Sequence, residues 1–213
     1  MRGAPTTFWG KLDRREGEGV VAWHPLEAHC ADVAACAEAL LERTVLRRRL
    51  AALGGRADLT ALDIARLASL AALHDIGKFN WGFQRKADPE PRDTAGHVSE
   101  VLDLLGSDHP LRSELETALP WMELESWAEE QGAFRLLIAS IGHHGRPVAC
   151  GAKAPNGALW RSARGASPFH GIAKLTGAIR RWFPLAFSSG EANLPSTPAF
   201  QHAFAGLVML ADW

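Results

Sequence analysis

Hydrophobic positions recur at helical spacing along most of this chain. From His29 the apolar or small residues fall at Val33, Cys36, Ala37, Leu40 and Leu41. This 3.6-residue stripe predicts a first helix that begins after Trp23-His24-Pro25, runs to about Leu50 and gives way at Gly54-Gly55. A second helix is predicted near Thr60, with Asp63 three residues on to complete a cap. Its buried side, Ile64, Leu67, Ala68, Ala71 and Ala72, leads to His74-Asp75. Residues 79–95 form a loop or broken helix, after which Gly96-His97 opens a helix through Val101, Leu102 and Leu105. Two more helices are expected over 111–119 and 120–131, with Pro120 in a first turn. The run from Phe134 to Ile141 is apolar almost all round, so a central helix delivers His143-His144 at its end, with Gly145 as the stop. Ser167-Pro168 starts a helix to about Phe183, and 184–197 is a loop. Thr197-Pro198 starts the last helix, along the stripe Phe200, Phe204, Leu207, Val208 and Ala211-Asp212. Residues 1–22 are a polar, glycine-rich, irregular lead-in, and 145–167 a long loop rich in Gly, Ala and Pro. Neither the alternation of a strand nor an internal repeat is apparent. The pattern predicts an all-α bundle in a single domain over 1–213.

Composition changes this picture little. With 213 residues, 47% hydrophobic and 22% charged, the chain is ordinary globular protein. Cys30, Cys36 and Cys150 are odd in number and lack Cys-x-x-Cys spacing, so they are expected as reduced, mostly buried thiols. Met1-Arg2-Gly3-Ala4-Pro5 leads into no apolar signal segment, and no run is long enough to span a membrane, so a cytoplasmic protein is expected.

Charge is neutral overall but unevenly placed. The net charge is −1, yet no Asp or Glu occurs between Gln131 and Gly190, where eight Lys and Arg residues make the segment +8 and leave −9 elsewhere. Trp160, Phe169, Trp182 and Phe183 are interleaved with these cations. Such a mixture holds phosphates and stacks bases without sequence preference. The alternative is that the aromatics are core and the cations a solvated face. Arg146, Lys153, Arg161 and Arg164 are the expected nucleic-acid contacts.

The candidate chemistry lies at the ends of the inward-facing stripes. Imidazole and carboxylate are both ligands for a divalent transition metal, and burying them is costly unless something satisfies them. Singly, His29 reads as a hydrogen-bonded core histidine, His97 as a helix-start residue and Asp212 as a frayed terminal charge. Jointly with His74-Asp75 and His143-His144 they point to metal.

These residues resemble the HD phosphohydrolase superfamily. More narrowly, the chain is similar to the nuclease domain of the CRISPR-associated helicase-nuclease of type I interference systems. The strings that carry the likeness are Trp9-Gly10-Lys11, Trp23-His24-Pro25-Leu26 with His29, Leu73-His74-Asp75-Ile76-Gly77-Lys78-Phe79 with Phe83-Gln84-Arg85-Lys86, Gly96-His97, His143-His144-Gly145 with Pro147, and Leu210-Ala211-Asp212-Trp213. The resemblance implies an HD-domain helical bundle with a metal site between central helices. It also implies that Asp75 bridges two metals, one completed by His29, His74 and Asp212, the other by His97, His143 and His144. Asp75 and Lys78 would be catalytic, with Lys78 meeting the charge of the transition state. A ligand set so rich in imidazole favours two divalent ions from Mn, Fe, Co or Ni over Mg or Ca. The implied activity is cleavage of single-stranded DNA, endonucleolytic and exonucleolytic, after recruitment by a guide-RNA surveillance complex. In that family the Ala-Asp-Trp string is followed by a helicase. Here Trp213 is the last residue, so the helicase part is expected in cis, with this chain an excised domain, or in trans, with it a separate subunit. The alternatives are an HD hydrolase of small nucleotides, which would need a closed pocket, and a non-catalytic recruitment module with a structural metal.

Overall fold

The computed structural model describes residues 7–146, 148–189 and 193–213. The first six residues of the expected lead-in, Pro147 of the family-like string and the Gly190 end of the acid-free span therefore lie outside the described residues. Two strands come first, β1 (Trp9–Arg15) and β2 (Gly19–Pro25). The helices follow as α1 (Leu26–Glu42), α2 (Thr44–Leu53), α3 (Ala61–Ala72), α4 (Trp81–Gln84) and α5 (Val98–Leu105), then α6 (Leu111–Ala118), α7 (Trp121–Ser126), α8 (Gly132–Ile141), α9 (Pro168–Trp182) and α10 (Pro198–Asp212). Short 3-10 turns cover Ile76–Phe79, Arg85–Ala87, Gly157–Trp160 and Pro184–Phe187. The fold is the expected helical one with a small two-stranded sheet added. No helix among the described residues is long and apolar enough to cross a membrane.

The chain divides into two compact units. The first contains the described residues of Met1–Cys30, Asp75–Leu119 and Ala149–Leu175. Its hairpin replaces most of the irregular lead-in. The two strands pair antiparallel with register shifts between Trp9 and Lys11 and between Asp13 and Arg14, which erase the period-two pattern that would have announced them. Glycines at φ +76° and +77°, Gly17 and Gly19, make the turn. Only Trp9 and Gly10 of β1 are buried, the rest of β1 is mostly exposed, and β2 is exposed or partly buried. Around them, α4 packs on the turn Ile76–Phe79 and on Gly157–Trp160, and α5 packs on α6 and on Ile76–Phe79. The 149–153 segment is fastened to α5: Asp103 Oδ1 accepts the Lys153 amide at 3.0 Å, and the Gly151 amide donates to Leu102 O at 3.0 Å. The expected long loop is thus anchored at 149–153.

The second unit contains the described residues of Ala31–His74, Pro120–Val148 and Thr176–Trp213. Here α8 packs against α3, α7 and α10, and α10 also packs against α2. Thr60 and Asp63 form the expected reciprocal cap of α3, with Thr60 Oγ1 accepting the Asp63 amide at 3.1 Å and Asp63 Oδ2 the Thr60 amide at 2.8 Å. The first stripe forms two helices, not one, because Arg43 takes an extended conformation (ψ 113°) between α1 and α2. The β-branched pair Thr44-Val45 that follows is weak helix material. On α1, Val33, Ala37 and Leu41 are buried as the stripe predicts, but Cys36 is exposed, correcting its expected burial. Thr197 caps α10 and its Oγ1 donates to Leu53 O at 2.7 Å, so the start of α10 is tied to the end of α2.

Candidate functional site

In the first unit, the candidate ligands gather around Asp75. This residue is fully buried at the start of the turn Ile76–Phe79. His29, one turn into α1, places Nε2 2.9 Å from Asp75 Oδ2, and Lys78 places Nζ 2.5 Å from the same oxygen. His97, the residue before α5, brings Nε2 to 3.3 Å from Asp75 Oδ1. A buried carboxylate is tolerable only with such company. Two glycines of the family-like strings make this convergence possible. A Cβ on Gly10 would lie 2.8 Å from the Cβ of His29, and one on Gly77 only 1.9 Å from the carbonyl oxygen of His97. Lys78 also donates to Gly10 O at 3.0 Å, so its ammonium joins the hairpin to the carboxylate.

Gln84 is the residue that inspection of the sequence passes over. Its Oε1 accepts the Trp9 amide at 3.0 Å, while its Nε2 donates to Trp9 O at 3.1 Å and to Lys78 O at 2.6 Å. Trp9 Nε1 donates to Gln84 O at 3.1 Å. One glutamine therefore holds both the strand carrying Gly10 and the turn carrying Lys78. A Gln beside Arg and Lys looks like surface in a sequence, and only the string it shares with the family marked it.

In the second unit the candidate ligands are His74, His143 and Asp212. His74 Nδ1 lies 2.8 Å from Ala71 O and His143 Nδ1 2.9 Å from Ser140 O. A carbonyl can only accept, so each Nδ1 carries the proton and each Nε2 keeps its lone pair in the neutral ring. The two rings lie 4.9 Å apart at 72°. Asp212, at the end of α10, approaches His74 Nε2 to 3.9 Å and His143 Nε2 to 3.6 Å, separations too long for hydrogen bonds. His143 Nε2 is buried and has no hydrogen-bond partner. Ser140 Oγ donates to Leu70 O at 2.7 Å, fixing α8 on α3 close to both histidines. His144 is exposed on the same turn, its ring 4.1 Å from that of His143.

The donor chemistry of both sets suits a transition metal. His29 with Asp75, and His74 with Asp212, each offer ligand atoms within 4.8 Å of one another. A buried imidazole lone pair without a donor, as at His143, is what a metal ligand presents to its ion.

The expected nucleic-acid contacts are placed differently. Arg146, Lys153 and Arg161 are exposed. Arg164 makes a bidentate pair with Asp88, at 2.8 and 2.7 Å, and this hydrogen bonding holds the Asp88 carboxyl below its ordinary value. Trp160, Phe169 and Phe183 are buried and Trp182 is exposed. Three of the four interleaved aromatics are therefore core, which corrects the expectation that they form a stacking surface.

Known proteins share this arrangement of helices. A structure described as a CRISPR-associated protein matches 97% of this chain at 23% identity and a TM-score of 0.61, and the match covers 22% of that chain. A component of a CRISPR RNA-guided surveillance complex in a pre-nicking state matches 97% at 22% identity, with a TM-score of 0.61 and 24% of that chain covered. This chain therefore spans under a quarter of the length of either. The Thermus thermophilus cas3 HD domain, solved in the presence of Ni2+, matches 89% of this chain and 70% of its own at 26% identity and a TM-score of 0.53. No curated protein matches. The family described as Cas3, HD domain matches residues 9–213, a span that includes Gly10, Gly77 and every candidate ligand above. The chain belongs to the Cas3 HD-domain family.

Proposed function

We propose that this chain is a metal-dependent phosphodiesterase that cleaves single-stranded DNA, endonucleolytically and exonucleolytically, in CRISPR interference. The observation that carries the reading is the buried lone pair of His143 Nε2 beside Asp212, matched in the first unit by a buried Asp75 ringed by His29, His97 and Lys78. His74 and Asp75 are consecutive, so the two sets are one peptide bond apart along the chain. The family match runs through both as one domain, which favours a single nuclease domain over 1–213. Asp75 with His29, His74 and Asp212 would hold one ion, and Asp75 with His97, His143 and His144 the other. When bound, two such ions would activate water and neutralise the phosphate oxygens.

The chain's own residues then have separable tasks. The Nδ1 hydrogen bonds of His74 and His143 fix ring orientation and leave the proton off both Nε2 atoms. Gln84, Gly10 and Gly77 seat Lys78, His29 and His97 around the carboxylate. Lys78 would oppose the charge that develops on the phosphate once metal takes up Asp75. Imidazole-rich ligands favour Mn, Fe, Co or Ni. A helicase, in cis or in trans, and a guide-RNA surveillance complex are the proposed partners, in keeping with the larger proteins this chain is similar to.

The test is to strip the protein of metal and supply one metal at a time with single-stranded DNA, duplex DNA or free nucleotides. Single strands should be cut with a transition metal and spared with chelator, and Asp75→Ala should lose both cleavage and bound metal. Full activity of the stripped Asp75→Ala protein would overturn the mechanism, and turnover of nucleotides alone would favour the small-nucleotide hydrolase.

A further inference from the structure

The first unit contains a cavity of about 1100 Å³ whose lining includes none of the candidate metal ligands. Phe8, Trp23, Phe79 and Trp81 supply its aromatic walls, Arg164 and Lys174 its cations, and Glu27 and Asp88 its carboxylates. The rings are braced against one another: Phe8 lies 5.0 Å from Phe79 edge-on and 5.3 Å from Trp81. The volume is just above the usual range of sites that take small molecules, so it admits a group larger than a side chain.

One wall is a tight turn with unusual backbone. Ala163 and Ala166 exchange both backbone hydrogen bonds, at 3.0 and 2.9 Å, and the two residues between them, Arg164 and Gly165, have φ of +53° and +75°. Two positive φ values are the signature of a two-residue hairpin turn, and an arginine is an uncommon choice for the first. The pair with Asp88 holds it there and brings its guanidinium to 5.9 Å from the Trp81 ring. Trp81 itself is 7% exposed and its Nε1 has no hydrogen-bond partner.

We propose that this cavity seats an unpaired nucleobase of the strand, an inference that rests on the single-strand reading above. Flat aromatic faces accept any base, which fits binding without sequence preference. A base also carries acceptors for which the Trp81 N–H is a vacant donor, and its phosphates bring charge that Lys174 can meet while Arg164 stays paired with Asp88. An apolar peptide side chain would fill the walls and use neither.

The test compares metal-free parent protein and variants for binding to a thymidine strand of about ten nucleotides, a length within known single-strand site sizes, and to the same strand with abasic sites. Loss of a stacked base should weaken binding to the parent by about tenfold or more. Trp23→Ala, at a partly exposed wall, should bind both strands alike. Trp81→Phe keeps a ring and removes the N–H, and Arg164→Gly suits the positive φ while removing the guanidinium; each should narrow the difference. If the parent binds both strands equally, the base seat is overturned and the single-strand reading stands. If neither strand binds, both fall. Tighter binding of an aromatic peptide than of the intact strand would overturn the seat in favour of a protein partner.

Discussion

Replacing Gln84 by alanine tests whether one side chain organises the surroundings of Asp75. The amide group of Gln84 makes three buried hydrogen bonds, to the amide and carbonyl of Trp9 and to the carbonyl of Lys78. Each such bond contributes about 1 kcal/mol net, and a buried partner left unsatisfied costs about 1–3 kcal/mol. Water reaching part of the vacated space would recover some of this, so the loss should be about 2–4 kcal/mol. The bond from Trp9 Nε1 to the backbone of Gln84 survives the change, so the hairpin should loosen without detaching. Denaturant unfolding followed by circular dichroism gives the stability, and hydrogen exchange at the Trp9 amide gives the local effect. Protection at that amide should fall more than protection in α8, and metal affinity should weaken because His29 and Lys78 lose their common support. A stability change within about 0.5 kcal/mol, as at an exposed position, with Trp9 still protected, would refute the reasoning.

Lys78→Ala should retain bound metal and slow cleavage by about a hundredfold. In the metal-free protein it should cost about 3 kcal/mol or more, because Asp75 keeps a buried charge without its ammonium; calorimetry with and without metal checks this, and unchanged turnover would remove Lys78 from the chemistry. Neutralising Arg146, Lys153, Arg161 and Arg164 together should weaken binding to single strands of any sequence and flatten its salt dependence, by about 0.7 in log–log slope for each phosphate that the variant no longer neutralises; equal slopes for parent and variant would exclude these residues. The Asp88–Arg164 pair gives a pH dependence of known sign. Arg164 lowers the folded-state value of the Asp88 carboxyl, so the stabilisation is complete above about pH 4, the ordinary aspartate range, and is lost as pH falls below it. Asp88→Asn should abolish that part of the acid sensitivity, read as the difference between the two unfolding midpoints across that range.

The helices were legible because helix formation follows local rules. Thr60 and Asp63 cap α3 as their spacing predicts, and Val33, Ala37, Leu41, Phe200, Phe204 and Val208 are buried where their stripes place them. The candidate ligands could also be found from sequence, since His29, Asp75 and His143 are polar residues on or at the ends of apolar stripes, and such residues need a reason to be buried. The hairpin could not. Strand β1 buries little of itself, its register shifts remove the alternation, and what holds it is Gln84, 75 residues away in the chain. The break at Arg43 was hidden for the opposite reason, since an apolar stripe can continue across a change of helix.

Tertiary structure alone decided which neighbour each group received. The +8 segment reads identically whether its aromatics face water or core, and packing buries Trp160, Phe169 and Phe183. The aromatic cavity is built from Phe8, Trp23 and the Phe79–Trp81 stretch, three parts of the chain that no sequence periodicity associates. Composition and spacing set what each segment could become. The close approaches permitted by Gly10 and Gly77, and the hydrogen bonds of Gln84, set what converges on Asp75, because contact between distant segments depends on shape that no local pattern encodes.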